Sequence, residues 1–456
     1  MAKCKLRITR EDYESLYHHL YQEDGDEHGA VLLAGLSYLN QLPLLTVREV
    51  HLAKDGVDYV AGKIGHRALV PQFIHRLITR ARDERLVFLA VHNHGSDRDV
   101  GFSNIDIRSH ERGYPALLQI AKGMPVGALV LGRRAMQADL WMPDGSRCEL
   151  DQATVIGMKI DRLTPQPVKD LASTDDQYDR QIRMFGLAGQ RALARAHVAV
   201  IGLGGIGSLV VEYLARLGVG HFTLIDDDVV EASNLSRIVG ASLSDAENQT
   251  PKGEVAERLI LQANPLAHIE RLDADVTKAS VAAQLKGCDY IFLAADSMRA
   301  RLLVNALVHQ HLIPAVQLGS KIRADEKGRV LDTFSAIRPL RPGAGCLWCN
   351  QLIDPSLLAK EAKTDAERKE QAYGVEEPNP SVISLNAVAA AHGVNDFLMD
   401  YLGLRDDRTL YYQHVHGQSG KLQLVEPRRD AECSECSKDG MRFARGDGVD
   451  LPCTEG

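Results

Sequence analysis

Two histidines, a serine and an aspartate between residues 92 and 106 have the spacing of a metal site. His92 and His94 follow a predicted strand over 86–91, and the two-residue period of a strand points both side chains to one face. Asp106 can supply a third ligand from the first turn of the helix that follows Ser103. Three ligands leave one position of a tetrahedral zinc ion open for water, whose pKa zinc lowers toward about 7. The pattern predicts a hydrolytic zinc site that uses a carboxylate as its base.

The same residues also fit a structural interpretation, in which Ser103 and Asp106 only cap a helix and the histidines are surface residues. The pattern nevertheless resembles the JAMM/MPN-type metalloproteases, which remove or trim ubiquitin-like proteins. Their motif is a Glu, then His-x-His, then Ser-x-x-Asp, and residues 27–35 resemble the segment that carries their Glu. The resemblance implies zinc binding by His92, His94 and Asp106, general acid/base catalysis by Glu27, and hydrogen bonding of the oxyanion by Ser103.

A second pattern predicts a phosphate-binding turn. Gly202 ends a predicted strand over 197–202, and Gly204 and Gly207 follow it at the start of a predicted helix. Such a turn lets the backbone approach phosphates at a helix N-terminus, and Asp226 can accept a hydrogen bond from a ribose hydroxyl. NAD-binding domains share this fingerprint, so the turn alone leaves a dehydrogenase open.

The downstream residues favour adenylation. The run from Asp226 to Arg237, followed by Pro251-Lys252 and by Asp296, resembles the ThiF/MoeB-type activating enzymes of the ubiquitin-activating superfamily. In these enzymes a protein's C-terminal carboxylate attacks the α-phosphate of ATP, and cations must neutralise the two anions. The resemblance implies the following roles: phosphate binding by Arg237 and Lys252, Mg²⁺ binding by Asp296, ribose-side positions for Asp226 and Asp228, a position near the phosphates for Asn234, and insertion of Arg180 into the site of a partner subunit in a homodimer.

Four of the eight cysteines form two Cys-x-x-Cys pairs. Cys346, Cys349, Cys433 and Cys436 supply the ligand set of a closed structural zinc site, which would tie the C-terminal tail to the core. Activating enzymes that the chain resembles often carry such a site. Two redox-active pairs are the alternative.

A cysteine that could carry a thioester is missing from the expected place. Relatives that form a thioester use a cysteine after the first Cys pair, and residues 350–380 contain none. Cys453 is then the only candidate that we expect to be mobile. Either the enzyme stops at the acyl-adenylate and passes it to a partner's thiol, or a hydroxyl such as that of Ser356 or Ser381 accepts the acyl group.

The chain of 456 residues is long enough for two or three domains. We expect an α/β JAMM/MPN-like zinc-peptidase domain over 1–154 and a linker over 155–175. A Rossmann-like, doubly wound adenylation domain follows over 176–430, where strands alternate with helices, as parallel sheets require. A tail over 431–456 completes the Cys₄ site.

Composition narrows the function further. Hydrophobic residues make up 45% and charged residues 25%, and no apolar run is long enough to cross a bilayer, which indicates a cytoplasmic protein without a membrane partner. The net charge of −8 and the lack of a basic block argue against nucleic acid.

As the resemblances imply, we expect a bifunctional enzyme of a bacterial ubiquitin-like pathway linked to antiviral defence. It would use two zinc ions, ATP and Mg²⁺ to process or release a ubiquitin-like protein and to adenylate its C-terminal Gly. A conjugating or sulfur-transfer enzyme would be a partner. Two alternatives are activation of a sulfur carrier for biosynthesis, and a first domain that only recruits the protein without cutting it.

Overall fold

The computed structural model describes residues 2–24, 26–60, 67–166, 176–362, 380–405 and 409–454. The chain divides into two compact units. The first unit contains residues 1–172, 310–312 and 441–450, and the second contains 173–309, 313–440 and 451–456. Residues 441–450, which lie in the predicted tail, thus belong to the first unit and not to the second. Part of the predicted linker, residues 167–175, lies outside the described residues.

The first unit is an α/β structure built on one mixed sheet. Its described strands are β1 (Ala2–Thr9), β2 (Gly29–Leu39), β3 (Leu42–Leu52), β4 (Val87–Asn93), β5 (Val126–Leu131), β6 (Met136–Trp141), β7 (Arg147–Ile156) and β8 (Ile160–Leu163). Its described helices are α1 (Arg10–Leu20), α2 (Pro71–Glu84) and α3 (Asn104–Ala121). The strand order is β1-β3-β2-β4-β5-β6-β7-β8, and an additional parallel pairing of β1 with β7 curls the sheet on itself.

The apolar run that opens β2 explains why this strand is central. Residues Ala30 to Ala34 are fully buried, as expected for a strand covered on both faces. β2 pairs antiparallel with β3 on one side and with β4 on the other. This pairing matters for function because it aligns the start of β2 with the end of β4, where the predicted metal ligands lie.

The second unit contains the predicted Rossmann-like arrangement. Its described strands are β9 (His197–Ile201), β10 (His221–Ile225), β11 (His268–Leu272), β12 (Tyr290–Leu293), β13 (Ala315–Ala324), β14 (Val330–Leu340), β15 (Tyr412–His416) and β16 (Leu422–Val425). Its described helices are α4 (Asp179–Arg195), α5 (Gly205–Arg216), α6 (Leu243–Glu247), α7 (Lys252–Ala263), α8 (Ala279–Gln284), α9 (Met298–Gln310), α10 (Pro355–Glu361) and α11 (Ile383–Tyr401).

The sheet of this unit has the order β11-β10-β9-β12-β13-β14-β15-β16. Its first five strands are parallel. The strand order runs outward from β9 to β11 on one side and from β12 onward on the other, so it reverses between β9 and β12. Doubly wound folds bind ligands at such a reversal. From β13 onward the pairing is antiparallel. The doubly wound α/β fold is therefore confirmed. The expectation of a mainly parallel sheet omitted this antiparallel half, in which β13–β14 and β15–β16 are connected without a helix.

Among the described residues, no helix combines the length and apolar character that crossing a bilayer would require.

Candidate functional site

The structure brings three of the residues predicted for the first unit into one cluster. His92 lies near the end of β4, His94 follows that strand directly, and Asp106 lies in the first turn of α3. The Nε2 atoms of His92 and His94 lie 3.6 and 3.7 Å from Oδ2 of Asp106. One ligand atom from each residue fits within 4.8 Å of the others, so the three side chains can share one metal ion.

Ser103 and Asp106 form a complete capping box at the start of α3. The Ser103 amide donates to Oδ2 of Asp106 at 2.7 Å, and the Asp106 amide donates to Oγ of Ser103 at 3.2 Å. Burial alone would raise the pKa of Asp106, but the nearby imidazole of His92 and the hydrogen bonds with Ser103 hold that pKa well below its usual range. The predicted cap is confirmed, and it leaves Asp106 an anionic ligand. The Ser103 hydroxyl accepts one hydrogen bond from this cap and can still donate its own hydrogen to an oxyanion.

The strand register places Glu27 beside this cluster. Gly29 pairs with His92 in the antiparallel ladder of β2 and β4, and the His28 amide donates to Oδ1 of Asn93 at 2.8 Å. Continuing that register by one more residue sets Glu27 opposite His94. The negative charge of Glu27 acts on the imidazole of His94, in agreement with this placement.

The donor set fits zinc. Nε2 of His92 is buried and has no hydrogen-bond partner among the described residues, although a buried imidazole nitrogen is normally satisfied. Burial and the neighbouring His92 lower the pKa of His94, which favours the neutral imidazole that binds a metal. Two histidines and one carboxylate match the three protein ligands of catalytic zinc sites.

Sequence reasoning missed two residues that hold the ligands in place. The hydroxyl of Tyr21 donates to the carbonyl oxygens of His94 and Leu131, at 3.1 and 2.8 Å, and so fixes the backbone after β4. Asn93 joins the ends of β2 and β4 through its contact with His28. Neither residue has a motif spacing that would have identified it.

In the second unit the Gly-rich turn lies between β9 and α5, as predicted. Gly202 has a φ of +86°, which favours glycine. A Cβ at Gly207 would overlap the carbonyl oxygen of Gly202, so α5 can approach the turn this closely only with glycine there. The N-terminus of α5 therefore opens toward the ends of the parallel strands, which is the arrangement that binds phosphates.

Acidic residues at the end of β10 face this turn. Asp226 accepts hydrogen bonds from the Leu203 amide at 2.6 Å and from the Asp228 amide at 2.9 Å. Nζ of Lys252 lies 2.6 Å from Oδ2 of Asp228 and 3.6 Å from Oδ1 of Asp226. Burial raises the pKa of Asp226, and the charge of Lys252 acts in the opposite direction. The predicted ribose-side carboxylates and the predicted phosphate cation thus form one ion-paired group.

These residues line a cavity of about 1050 Å³ in the second unit. Most of the residues predicted for nucleotide binding lie in its wall: Gly202, Gly204, Asp226, Asp228, Arg237, Lys252 and Asp296. Asn234 is not among the described lining residues; it is buried, and its Oδ1 accepts from the Glu231 amide at 3.3 Å. Arg180 is exposed in the first turn of α4 and does not line the cavity of its own chain either. The antiparallel strands contribute cavity residues that sequence reasoning missed, among them Arg338 of β14.

The four cysteines of the two Cys-x-x-Cys pairs meet in one cluster. Sγ of Cys346 lies 3.5 Å from that of Cys349 and 3.8 Å from that of Cys433, and the Cys349 and Cys436 sulfurs are 3.7 Å apart. Four sulfurs at about 2.3 Å from a tetrahedral zinc ion would be about 3.8 Å apart. All eight cysteines lie in the described part of the chain, and none forms a disulfide. The four sulfurs are close enough together to share one ion, so the geometry favours the structural metal site over redox pairs.

The remaining thiols are held in place. Cys288 is fully buried two residues before the start of β12. Cys453, the candidate that was expected to be mobile, is partly buried and packs against the core of the second unit. The adjacent Thr454 amide donates to the carbonyl oxygen of Thr277 at 2.8 Å, which fixes this end of the chain.

Comparison with known proteins identifies similarities in sequence. The model of the ThiF family matches residues 178–442, more than half of the chain. The SAMP-activating enzyme E1 of Haloferax volcanii is 38% identical over 270 residues, which cover 58% of this chain and 90% of that protein. The molybdopterin-synthase adenylyltransferase of Salmonella typhimurium is 35% identical over 183 residues, 39% of this chain and 71% of that protein.

The chain is also similar, over a shorter stretch, to another adenylyltransferase. The sulfur carrier protein ThiS adenylyltransferase of Bacillus subtilis is 34% identical over 140 residues, 30% of this chain and 42% of that protein. Among solved structures, Escherichia coli MccB with ATP is 21% identical with a TM-score of 0.46, over 58% of this chain and 75% of that chain.

Proposed function

Because the chain belongs to the ThiF family, we propose that its second unit adenylates the C-terminal carboxylate of a small ubiquitin-like or sulfur-carrier protein. The observation that carries this proposal is the cavity in which the Gly-rich turn, the Asp226–Lys252 group and Asp296 meet. A protein that only bound a dinucleotide would not need a metal-binding carboxylate and two phosphate-binding cations in the same cavity. This arrangement therefore supports adenylation better than the dehydrogenase alternative.

The charges of the cavity suit the reaction. An acyl-adenylate forms when a carboxylate oxygen bonds to the α-phosphorus of ATP and the bond to the pyrophosphate oxygen breaks. Arg237 and Lys252 line the cavity and would hold the phosphates, and Asp296 would hold Mg²⁺, which neutralises phosphate charge when bound. Asp226 already braces the Gly-rich turn through the Leu203 amide, so it would position the turn as well as the ribose.

The relatives named above support a sulfur carrier better than a defence pathway as the context of this reaction. Two of them are named for molybdopterin synthase and for the sulfur carrier ThiS, and a third is named for SAMP activation. The absence of cysteine from residues 350–380 fits an enzyme that stops at the acyl-adenylate. We propose that it then passes the acyl group to a thiol of a sulfur-transfer or conjugating partner.

The exposed position of Arg180 fits the proposed homodimer. In a single chain this guanidinium does not reach the cavity, so a role in catalysis requires a second subunit. Size-exclusion chromatography with light scattering tests the dimer. Mixing Arg180→Ala with Lys252→Met chains would restore partial activity if each arginine serves the partner's site.

The decisive experiment is pyrophosphate exchange into ATP, with small proteins encoded beside this chain's gene as substrates. Substituting Asp296→Asn or Lys252→Met should lower exchange by about 100- to 1000-fold, since each removes charge stabilisation from the reaction. Lys421→Met, an exposed lysine of the same unit, is the control and should leave exchange unchanged. Exchange that is insensitive to both cavity substitutions would refute the proposal.

We also propose that the first unit is a zinc hydrolase of the JAMM/MPN type. The family match begins at residue 178, so this proposal rests on the cluster of His92, His94 and Asp106 with Glu27 alongside. A zinc ion held there would polarise an amide carbonyl and lower the pKa of a bound water. Glu27 would take up the proton, and Ser103 would donate to the oxyanion.

Zinc content and cleavage test this second proposal together. Purified protein should cleave a precursor or isopeptide-linked ubiquitin-like protein, whereas Glu27→Gln should bind zinc normally and cleave at least 100-fold more slowly. Glu23→Gln, at an exposed position nearby, is the matched control. If wild type binds the substrate and zinc but cuts nothing, the first unit is a recruiting module.

A further inference from the structure

Two arginines in the wall of the adenylation cavity have no part in the roles proposed above. Arg301 lies on α9, five residues after Asp296, and Arg338 lies on β14, paired with Gln317 of β13. Both line the cavity. Nη1 of Arg338 donates to Oε1 of Gln317 at 2.6 Å, and Nη1 of Arg301 donates to the Leu352 carbonyl oxygen at 3.0 Å. These hydrogen-bond partners are neutral.

The two guanidiniums repel each other and lack a full counter-charge. Burial and the charge of Arg301 together lower the pKa of Arg338 to about 10. Within the described ranges, no carboxylate lies at ion-pair distance from either arginine. Asp296 and Glu361 act on Arg301 from farther away, and the carboxylate of Glu361 is occupied at the start of α9.

An unsatisfied donor points to a missing ligand. Nε of Arg301 is buried and has no hydrogen-bond partner among the residues that the structure describes. Leaving like charges and unpaired donors in a partly desolvated site is unfavourable unless an anion binds there. Arginine pairs best with a carboxylate or a phosphate, through two parallel hydrogen bonds.

The position of the pair separates it from the phosphates at the Gly-rich turn. β14 is the third strand from β9 across the sheet, so at the usual strand spacing Arg338 lies about 14 Å from the strand that leads into the turn. Arg237 and Lys252 are on the turn side of the cavity. The volume of about 1050 Å³ exceeds that of most single-ligand pockets, which leaves room for a second anionic group beside ATP.

We propose that Arg301 and Arg338 bind the C-terminal carboxylate of the protein substrate and select tails that end in a free carboxylate. This inference rests on the proposed adenylation, in which two anions must approach each other. Arg301 lies close enough to Asp296 for their charges to interact, so a carboxylate held there is next to the proposed metal site. When the carboxylate oxygen bonds to the α-phosphorus and pyrophosphate leaves, the carboxylate charge is lost and the arginines release the tail.

Binding of a synthetic peptide tests the proposal without relying on turnover. The probe is an N-terminally fluorescent decapeptide ending in Gly-Gly, prepared as the acid and as the amide, with a non-hydrolysable ATP analogue and Mg²⁺ present. Wild type should bind the acid at least tenfold more tightly than the amide. Arg338→Met should lose at least tenfold for the acid and change little for the amide, because a charged hydrogen-bonded pair contributes about this much. Arg323→Met, an exposed arginine of β13, should behave as wild type.

Affinity for the ATP analogue, measured separately, keeps the two proposals distinguishable. Arg338→Met should bind the analogue within twofold of wild type, which also shows that the variant is folded. Equal binding of acid and amide, undiminished acid binding by Arg338→Met, or no binding of the acid peptide would overturn the carboxylate site. Loss of nucleotide binding by wild type would instead overturn the proposed adenylation.

Discussion

Substituting Cys436→Ser should remove one zinc ion per chain and loosen the C-terminal end of the second unit. Cys436 is fully buried, and its sulfur lies 3.7 Å from that of Cys349, 87 residues earlier. Around this cluster the chain is held by two further bonds: the Arg428 amide donates to Oδ1 of Asn350 at 2.8 Å, and Nδ2 of Asn350 donates to the Arg428 carbonyl oxygen at 3.1 Å.

The magnitude follows from the length of the loop. Closing a loop of 87 residues costs at most about 4.6 kcal/mol in chain entropy. Structural zinc contributes roughly 10 to 16 kcal/mol in small zinc domains, which leaves at least about 5 kcal/mol of net stabilisation. Since a domain of this size loses roughly 2 to 4 °C in Tm per kcal/mol, we expect a fall of about 10 °C or more. The sheet has its own apolar core, so the residues around the cysteines should detach before the sheet unfolds.

Zinc analysis, thermal unfolding and hydrogen exchange check this result. Wild type should contain one zinc ion per chain more than Cys436→Ser, and exchange should increase around residues 346–350 and 428–436. Cys453→Ser, which removes a thiol outside the cluster, is the matched control and should keep the zinc. Should the variant precipitate, zinc release from wild type by a chelator, followed by the same exchange measurement, gives the answer. Equal zinc content and a Tm within 2 °C of wild type would refute the assignment.

Three further predictions use matched positions. Gly207→Ala should lower Tm and abolish ATP binding because of its backbone overlap, whereas Gly204→Ala should leave Tm unchanged, since a Cβ there meets nothing within 4 Å; a thermal shift assay compares the two. Ser103→Ala and Ser242→Ala each remove an N-cap and should each lower the free energy of unfolding in urea by about 1 kcal/mol. Only Ser103→Ala should slow cleavage. Equal effects of the two variants on cleavage would exclude an oxyanion role for Ser103. Arg258 and the cap at Ser242 hold the pKa of Asp245 at about 2, so its charge stabilises the fold above its unfolded pKa of about 4. The free energy of unfolding of wild type should therefore exceed that of Asp245→Asn by an amount that shrinks as the pH falls from 5 toward 2. A difference that stays constant with pH would contradict this.

The sequence was sufficient where a site follows from local chemistry. The Gly-rich turn is determined by its glycines, because Gly202 needs a positive φ and Gly207 must lack a Cβ. The capping box of Ser103 and Asp106 is a contact between residues three apart, and the strand period alone puts His92 and His94 on one face. Short-range geometry of this kind can be predicted before any fold is known.

Residues whose roles depend on distant partners could not be predicted. Tyr21 reaches the backbone of His94 from 73 residues away, and no spacing rule connects them. Arg338 faces the adenylation cavity only because β14 joins the sheet through an antiparallel hairpin that the alternating strand-helix pattern did not suggest. The segment 441–450 joins the first unit through long-range contacts, such as the bond from Thr46 Oγ1 to the Ala444 carbonyl oxygen at 3.0 Å.

The two proposed activities are consecutive in chemistry. Hydrolysis of an amide at the C-terminal Gly of a ubiquitin-like or sulfur-carrier precursor creates a free carboxylate, and a free carboxylate is what adenylation requires. A site at Arg301 and Arg338 would support this order, because the carbonyl of that Gly is still part of an amide in an uncut precursor and offers the arginines no carboxylate. The lack of cysteine over 350–380 fits the proposal that the next step occurs outside this chain, on a partner's thiol that accepts the acyl group from the adenylate. A precursor with residues beyond its Gly should therefore support pyrophosphate exchange with wild type but not with Glu27→Gln. Substrate that has already been trimmed to its Gly should restore exchange to that variant. Exchange by Glu27→Gln with the uncut precursor would show that the two activities are independent.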